Sequence, residues 1–330
     1  MPFGLAENKN IVRVRDLYID GFQRLLLHKK PENSSEDEKF THLLEGILQD
    51  FVPIVQTMAV GVLERKREMV FSKAVNEALD LYLNRFFMAR IGIRFLIEHH
   101  IASKETREGV SGIIHSDCDP ISIARSAADD SILLCERQFG ISPEIKIFSM
   151  HPITFTYVPG HLRYILSELL KNALRATIYH HGVEDNLPPI DVVIAEGRSD
   201  ITIKISDKGG GMPFEKVDNV WTYVYTSSSP DTFPSRGGTR FIDANLDTVS
   251  SNTSALSGYG CGLPLSRLYA QYFGGGLDLK SMEGYGTDAY CYLNRLGRNC
   301  ENLPVGVSMS PAERDSSFHQ DASLYSLPKR

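Results

Sequence analysis

The chain has 330 residues, enough for two domains of ordinary size, each with its own buried core. Hydrophobic residues make up 42% and charged residues 23%, and the net charge of -6 offers no basic stripe for nucleic acid. No stretch approaches about 18 consecutive apolar residues, which argues against a membrane span.

The five cysteines (Cys118, Cys135, Cys261, Cys291 and Cys300) are scattered, with no CxxC pair and no nearby His at metal spacing. That argues against a disulfide scaffold and against a zinc site, and it fits a reducing compartment such as cytosol or mitochondrial matrix. The opening MPFGLAENKN has neither an apolar signal core nor an Arg-rich, acid-poor transit pattern, so by itself it supplies no address.

From about residue 10 to 140 the spacing of apolar residues predicts helices. Val14, Leu17, Tyr18, Phe22, Leu25 and Leu26 recur near helical spacing within 11–27, and 40–62 continues the pattern. The polar, proline-bearing KKPENSSEDEK between them reads as a loop. A third helix is expected over 79–97, with Arg85, Arg90 and Arg94 on a solvated face. Helices of this length with short connections predict an antiparallel bundle over 1–142.

Near residue 143 the texture changes to alternating strands and helices. β-branched runs at 190–195 and 201–206 flank EGRSD and predict a hairpin, and 277–281 and 287–293 read as closing strands. Helices are expected over 162–178 and over 263–273, the second stopped by Gly274 to Gly276. The expected fold is therefore α + α/β: the helical bundle, then a two-layer α/β sandwich over 143–297, then a loosely ordered tail over 298–330.

The helix HLRYILSELLKNALRAT carries two polar hooks. Leu162, Ile165, Leu166, Leu169, Ala173 and Leu174 form one broad apolar stripe, while Glu168, Asn172 and Arg175 fall on the other face with Lys171 beside them. Side chains at i and i+4 stand one above another, so a carboxylate and an amide oxygen reach the same cleft. Asn172 is suited to Mg2+, a hard cation that takes one or two oxygens from protein and the rest from phosphate and water. Glu168 is suited to accept a proton from an attacking hydroxyl. Taken alone, the pair reads more simply as an ordinary exposed helix face.

The strand at 201–206 runs into DKGGGMP, where Asp207 can accept from an exocyclic base amine and Gly209 and Gly211 permit close ligand approach beside Met212. Some forty-five residues on, GYGCGLP (Gly258, Tyr259, Gly260, Cys261, Gly262, Leu263, Pro264) opens a helix, so its amides make an anion site suited to phosphate. Either glycine loop alone is more often a turn than a nucleotide cradle. The ordered set is harder to dismiss: acid-plus-amide helix, strand-Asp-glycine loop, glycine loop opening a helix, then EGYGTD with Thr287.

That order resembles the boxes of the GHKL ATPases. The wording of ELLKNALRAT, ISDKGGGMP, GYGCGLPLSRLYAQYFGG and SMEGYGTDAY is similar to the mitochondrial 2-oxo acid dehydrogenase kinases, as are VRDLYIDGFQ, ARIGIRFLIEHH and ARSAADDSILLCERQFG earlier on. The closing SMEGYGTDAYCYLNRLG leans toward the pyruvate dehydrogenase kinases. The resemblance implies a GHKL-type ATP-binding kinase domain at 143–297 with a lid at about 212–258. It also implies transfer of the ATP γ-phosphate to serines of the dehydrogenase E1 component, in the mitochondrial matrix, by a homodimer. Glu168 matches the family's general base and Asn172 its Mg2+ ligand, with Lys171 and Arg175 the basic residues of that box. Asp207, Gly209, Gly211 and Thr287 match the adenine site. Gly258, Gly260 and Gly262 match the phosphate loop, and Thr226 and Ser227 a hydroxyl pair in the lid. The cofactors implied are ATP and Mg2+, with K+ as an optional accessory.

Four departures stand out. Tyr164 takes the place where several family members carry a His one turn before the base. The lid over 230–257 is long and polar, like an insertion. The family's opening segment is expected to be missing ahead of Met1, and its Asp-Trp tail motif is absent, since Trp221 is the sole tryptophan. Docking of the E2 lipoyl domain and dimer cross-talk are thereby left open. Two other readings stay in play. One is a histidine kinase core using His99, His100 or His115, and the other is a nucleotide-binding scaffold without catalysis. The HRD, DFG and GxxxxGK[ST] marks of other phosphotransferases are missing.

Overall fold

The computed structural model describes residues 4–68, 72–105, 107–183, 186–225 and 260–296. The helical half comprises α1 (Lys9–Leu27), α2 (Ser34–Asp50), α3 (Ile54–Glu68) and α4 (Lys73–Ala102). A short sheet follows, made of β1 (Val110–Ser111) and β2 (Ile114–Cys118) with β4 (Phe155–Tyr157), where 10–140 had read as helical throughout. Between them come α5 (Pro120–Phe139) and β3 (Ile145–Ser149). The rest is α6 (Pro159–His181), β5 (Ile190–Glu196), β6 (Asp200–Ser206), the single turn α7 (Phe214–Val217), α8 (Gly262–Tyr272), β7 (Gly276–Met282) and β8 (Gly286–Asn294).

Capping sets where these helices begin. Asn8 Oδ1 accepts from the amides of Asn10 and Ile11, and Asp119 Oδ1 from those of Ile121 and Ser122. Asn33 does the same for Glu36, whose own carboxylate reaches back to the amide of Glu32. This box starts α2 at Ser34, so SSEDEK, expected in a loop, is the first turn and a half of a helix. α1 forms as its spacing predicts, but only Ile11, Val14 and Gly21 are buried, and Phe22 and Leu26 face outward.

α1 packs against α3 and α2 against α4. The run Ser34–Glu68 holds a window apolar enough for a membrane span. Its Leu44, Ile47, Ile54, Val55 and Met58 lie in the protein core, as expected of core helices. The solvated-face expectation for α4 holds for Arg85 but not for Arg90 and Arg94, which are buried. Arg90 donates to the carbonyl of Phe51 at 3.0 Å, satisfying the end of α2, and Arg94 pairs with Glu98 one turn on. A buried guanidinium is tolerated where such acceptors meet it.

The second half is a two-layer sandwich. Its sheet has the order β3-β5-β6-β8-β7, antiparallel except for the parallel β3–β5 pair, and β5–β6 is the predicted hairpin. Ile190, Val192 and Ile194 on β5, Ile201, Ile203 and Ile205 on β6, and Ala289, Cys291 and Leu293 on β8 all point to one face. α5, α6 and α8 cover that face, with α5 near β3, α6 over β6 and α8 over β7. The helix layer of the sandwich thus begins at α5, ahead of the change in sequence texture near 143. α4 joins the halves, its Phe95 ring packed on Tyr272 and Phe273 at the end of α8.

Candidate active site

α6 is the platform. All six residues of its predicted apolar stripe are buried under the sheet and its neighbouring helices, so the helix cannot roll. Its opposite face is then held toward the two glycine loops. Glu168 and Lys171, three residues apart, form a largely buried ion pair, so Lys171 is turned onto the carboxylate and does not merely flank it. Asn172 is half-buried, and its amide makes no hydrogen bond among the described residues, leaving its oxygen free to accept. Arg175 is half-buried too. Burial pushes its guanidinium down from the usual range, opposed by the charges of Tyr179 and Glu168.

The two loops meet this face at opposite ends. At one end Gly262, the first residue of α8, lies directly against the Glu168 carboxylate, and a Cβ there would collide with Oε2. At the other end Gly209 rests on the α6 backbone at Ala176 and Thr177, where an added Cβ would come within 2.6 Å of the Ala176 carbonyl carbon. From residue 168 to 176 the helix rises about 12 Å, with Asn172 midway. A ligand reaching from the Asp207 loop to the start of α8 must therefore pass Asn172.

Asp207 closes β6. Its Oδ1 accepts from the Gly209 amide at 2.9 Å and from the Thr287 amide at 3.3 Å, which leaves Oδ2 outside these bonds. Burial pushes its carboxyl up to about 6, against the pull of those two amides. Thr287 is fixed twice more, its carbonyl accepting from the Asp207 amide and its hydroxyl sharing a 2.9 Å hydrogen bond with Ser281. Ser281 also accepts from the Met212 amide at 2.8 Å. Gly211 has φ +62 and sits against the carbonyls of Met282 and Gly286, a place closed to any side chain.

Gly260, Cys261 and Leu263 lie at the start of α8, with Cys261 at the helix cap. Cys261 is buried, and desolvation raises its thiol to about 12, so it is a packed group and not a nucleophile. Thr226, Ser227, Gly258, Tyr259, the long lid segment over 230–257 and the tail lie outside the described residues. Tyr164 stands one turn before Glu168, its ring 4.6 Å from that of Tyr269 on α8.

Three groups were not singled out from sequence. Ser281 is the hub joining Met212 to Thr287. His181 meets the Lys208 carbonyl at 2.8 Å, and the His180 ring lies under Gly210. The adjacent His pair at the end of α6 was the only signal for the last two. The histidines considered as phosphate acceptors lie on α4 and β2, away from the α6 face. His100 bonds Thr41 at 3.2 Å and His99 stacks on Phe95, while His115 lies on β2, its backbone in register with β1 and β4.

The site fits an adenine nucleotide on its own geometry. It offers a buried acceptor, a cradle closed to Cβ atoms and a helix start beside a free amide oxygen. Comparison with known proteins agrees. Residues 157–296 match the family model described as histidine kinase-, DNA gyrase B- and HSP90-like ATPase. Residues 1–115 match that described as mitochondrial branched-chain alpha-ketoacid dehydrogenase kinase. A mitochondrial [pyruvate dehydrogenase (acetyl-transferring)] kinase of Arabidopsis thaliana is 36% identical over 309 residues, covering 92% of this chain and 81% of the relative. The enzyme of that name from Schizosaccharomyces pombe is 40% identical over 273 residues, covering 81% of this chain and 61% of the relative. Isozyme 4 of Homo sapiens is 36% identical over 318 residues, covering 92% and 74%. By these matches the chain belongs to the mitochondrial 2-oxo acid dehydrogenase kinases, among relatives that are pyruvate dehydrogenase kinases.

Proposed function

We propose that this chain is an ATP-dependent protein-serine kinase that phosphorylates, and so switches off, the E1 component of the pyruvate dehydrogenase complex. The observation that carries the reading is the position of Glu168 and Asn172 on one helix face between the Asp207 loop and the start of α8. ATP with Mg2+ supplies the phosphoryl group and neutralises its charge. Asn172 is the residue that would hold the ion, and Asp207 and Thr287 the base, with Gly209, Gly211 and Met212 lining it. The amides of Gly260 to Leu263 receive phosphate oxygens, as helix starts do. Lys171 holds the Glu168 carboxylate in a fixed direction, and Glu168 takes the proton of the serine hydroxyl. Arg175 adds positive charge along the same face. Positioning and charge neutralisation of this kind account for most of phosphoryl-transfer catalysis.

On this reading the protein works in the mitochondrial matrix as a homodimer, and docking of an E2 lipoyl domain is a separate question that the same test addresses. The test is incubation with purified dehydrogenase E1, with and without E2, and labelled ATP, followed by mapping of the phosphorylated residue. Acid-stable phosphoserine on E1 is expected, and stimulation by E2 bears on lipoyl docking. Acid-labile phosphate on the chain itself would favour the histidine kinase reading. Nucleotide binding without any transfer would leave a scaffold.

A further inference from the structure

α3 and α4 of the helical half present a charged pair to the segment just ahead of residue 226. Tyr223 is fully buried there. Its ring stacks on Phe87 of α4 with centroids 5.3 Å apart, and its hydroxyl donates to Asn84 at 2.8 Å. Its peptide is gripped on both sides. The amide donates to Asp80 Oδ1 at 3.1 Å, and the carbonyl accepts from Lys66 Nζ at 2.9 Å. Burial lowers Lys66 and raises Asp80, and each partly offsets the other's shift. Half-buried opposite charges within electrostatic reach of one another are a weak source of stability, since apolar residues of like volume do as well. Its value here lies in where it holds the chain.

The next residue passes the constraint on. Val224 has φ +65, a left-handed conformation that costs a β-branched residue about 1–3 kcal/mol and persists only where neighbours enforce it. Its amide donates to the Gly260 carbonyl at 3.0 Å. Gly260, at φ +74, is packed so closely on Tyr225 that a Cβ would sit 2.5 Å from the Tyr225 carbonyl oxygen. Cys261 then lies within electrostatic reach of both Lys66 and Glu168, and Gly262 abuts the Glu168 carboxylate. One continuous path of contacts thus runs from α3 and α4, through Tyr223 and Val224, to the start of α8.

We propose that Lys66 and Asp80 are positioning residues for the phosphate loop: by clamping the Tyr223 peptide they enforce the strained Val224 turn that seats Gly260 to Gly262 against Glu168. The proposal rests on the nucleotide site described above. It makes the helical half part of that site. A shift of α3 against α4 loosens the loop that receives phosphates, and nucleotide binding tightens the α3–α4 grip by the same factor.

Trp221, the sole tryptophan, is two residues from Tyr223 and lies under the Arg267 guanidinium at 4.6 Å, so its emission reads this segment directly. In the full chain, Lys66→Met and Asp80→Ala are expected to shift Trp221 emission to the red without nucleotide. They should also weaken binding of a fluorescent ADP analogue with Mg2+ by roughly 5- to 50-fold, the usual size of site-to-site coupling, and Lys66→Arg should recover most of the loss. Folded variants with unchanged emission and affinity within about twofold of the parent overturn the clamp. Hydrogen exchange on the unaltered chain gives a readout that no misfolded variant can spoil. Added MgADP should slow exchange at Tyr223 and Val224 and over the parts of α3 and α4 bearing Lys66 and Asp80. Bound nucleotide with no change there refutes the proposal. A parent that binds no nucleotide sinks the kinase reading instead, and Trp221 emission still decides the clamp.

Discussion

The carboxylate of Glu168 on α6 is seated against the bare Cα of Gly262, the first residue of α8, so two elements 94 residues apart share one spot without room for a methyl group. The obstructing atom at 262 is the end of a side chain that can swing. Gly262→Ala should therefore keep the fold but turn Glu168 away, lowering phosphate transfer about tenfold or more. Gly209→Ala meets backbone at Ala176 and Thr177, which cannot yield, and should cost about 1–3 kcal/mol of stability. Thermal unfolding beside a transfer assay separates the two. Equal loss of stability in both variants would mean that the Glu168 seat is not soft.

Glu168→Gln keeps the size of the side chain and loses its proton affinity. Transfer to the protein substrate should fall on the order of 10²-fold or more while nucleotide affinity holds within a few-fold. The ion pair with Lys171 becomes an ammonium–amide hydrogen bond that leaves a buried cation without its counter-charge, so melting temperature should drop. Single-turnover rates and a nucleotide titration give the two numbers. Full activity in this variant would assign the proton transfer to another group.

The geometry of the candidate site was legible in sequence where its signal is local. A 3.6-residue period fixes which face of 162–178 is buried, so Glu168, Asn172 and Arg175 were recognisable as the free face. Glycine runs at a strand end and a helix start carry their own geometry. Lys171 was harder, because helical spacing alone does not say whether a lysine beside a carboxylate snorkels to water or pairs with it. Arg90 and Arg94 misled for the same reason: their acceptors, the Phe51 carbonyl and Glu98, become visible only once the helices pack. β1 and β4 are two and three residues long, too short for alternation to register. The link between Asp80 and Tyr223 spans 143 positions, and no local pattern announces it.

Asn172 has a separate and simpler test. Its amide oxygen is free of protein partners among the described residues, so Asn172→Ala removes a ligand without stranding a donor or acceptor. Stability should change by less than about 1 kcal/mol, as for a half-buried polar residue outside the core. Magnesium-dependent ATP binding should be lost, while metal-free ADP, held at Asp207, should bind nearly as before. Calorimetric titration of both nucleotides, with and without Mg2+, checks the contrast. Unchanged MgATP affinity would remove Asn172 from the metal site.

Asp207 gives the site a pH dependence whose sign follows from its hydrogen bonds. Oδ1 is occupied by the Gly209 and Thr287 amides, so Oδ2 is the oxygen left to accept from a base amine. Burial raises the carboxyl to about 6, so it is ionised at pH 7 and becomes protonated as the pH falls through 6. The proton goes to Oδ2, the unengaged oxygen, and turns an acceptor into a donor facing another donor. Adenine-nucleotide affinity should hence be flat above about pH 7 and fall about tenfold per pH unit below 6, the slope for one required deprotonation. Asp207→Asn should bind weakly and show no such slope, because an amide does not titrate. Nucleotide titrations between pH 5 and 8 on both proteins decide it, and an identical slope in the two would move the titration to another group.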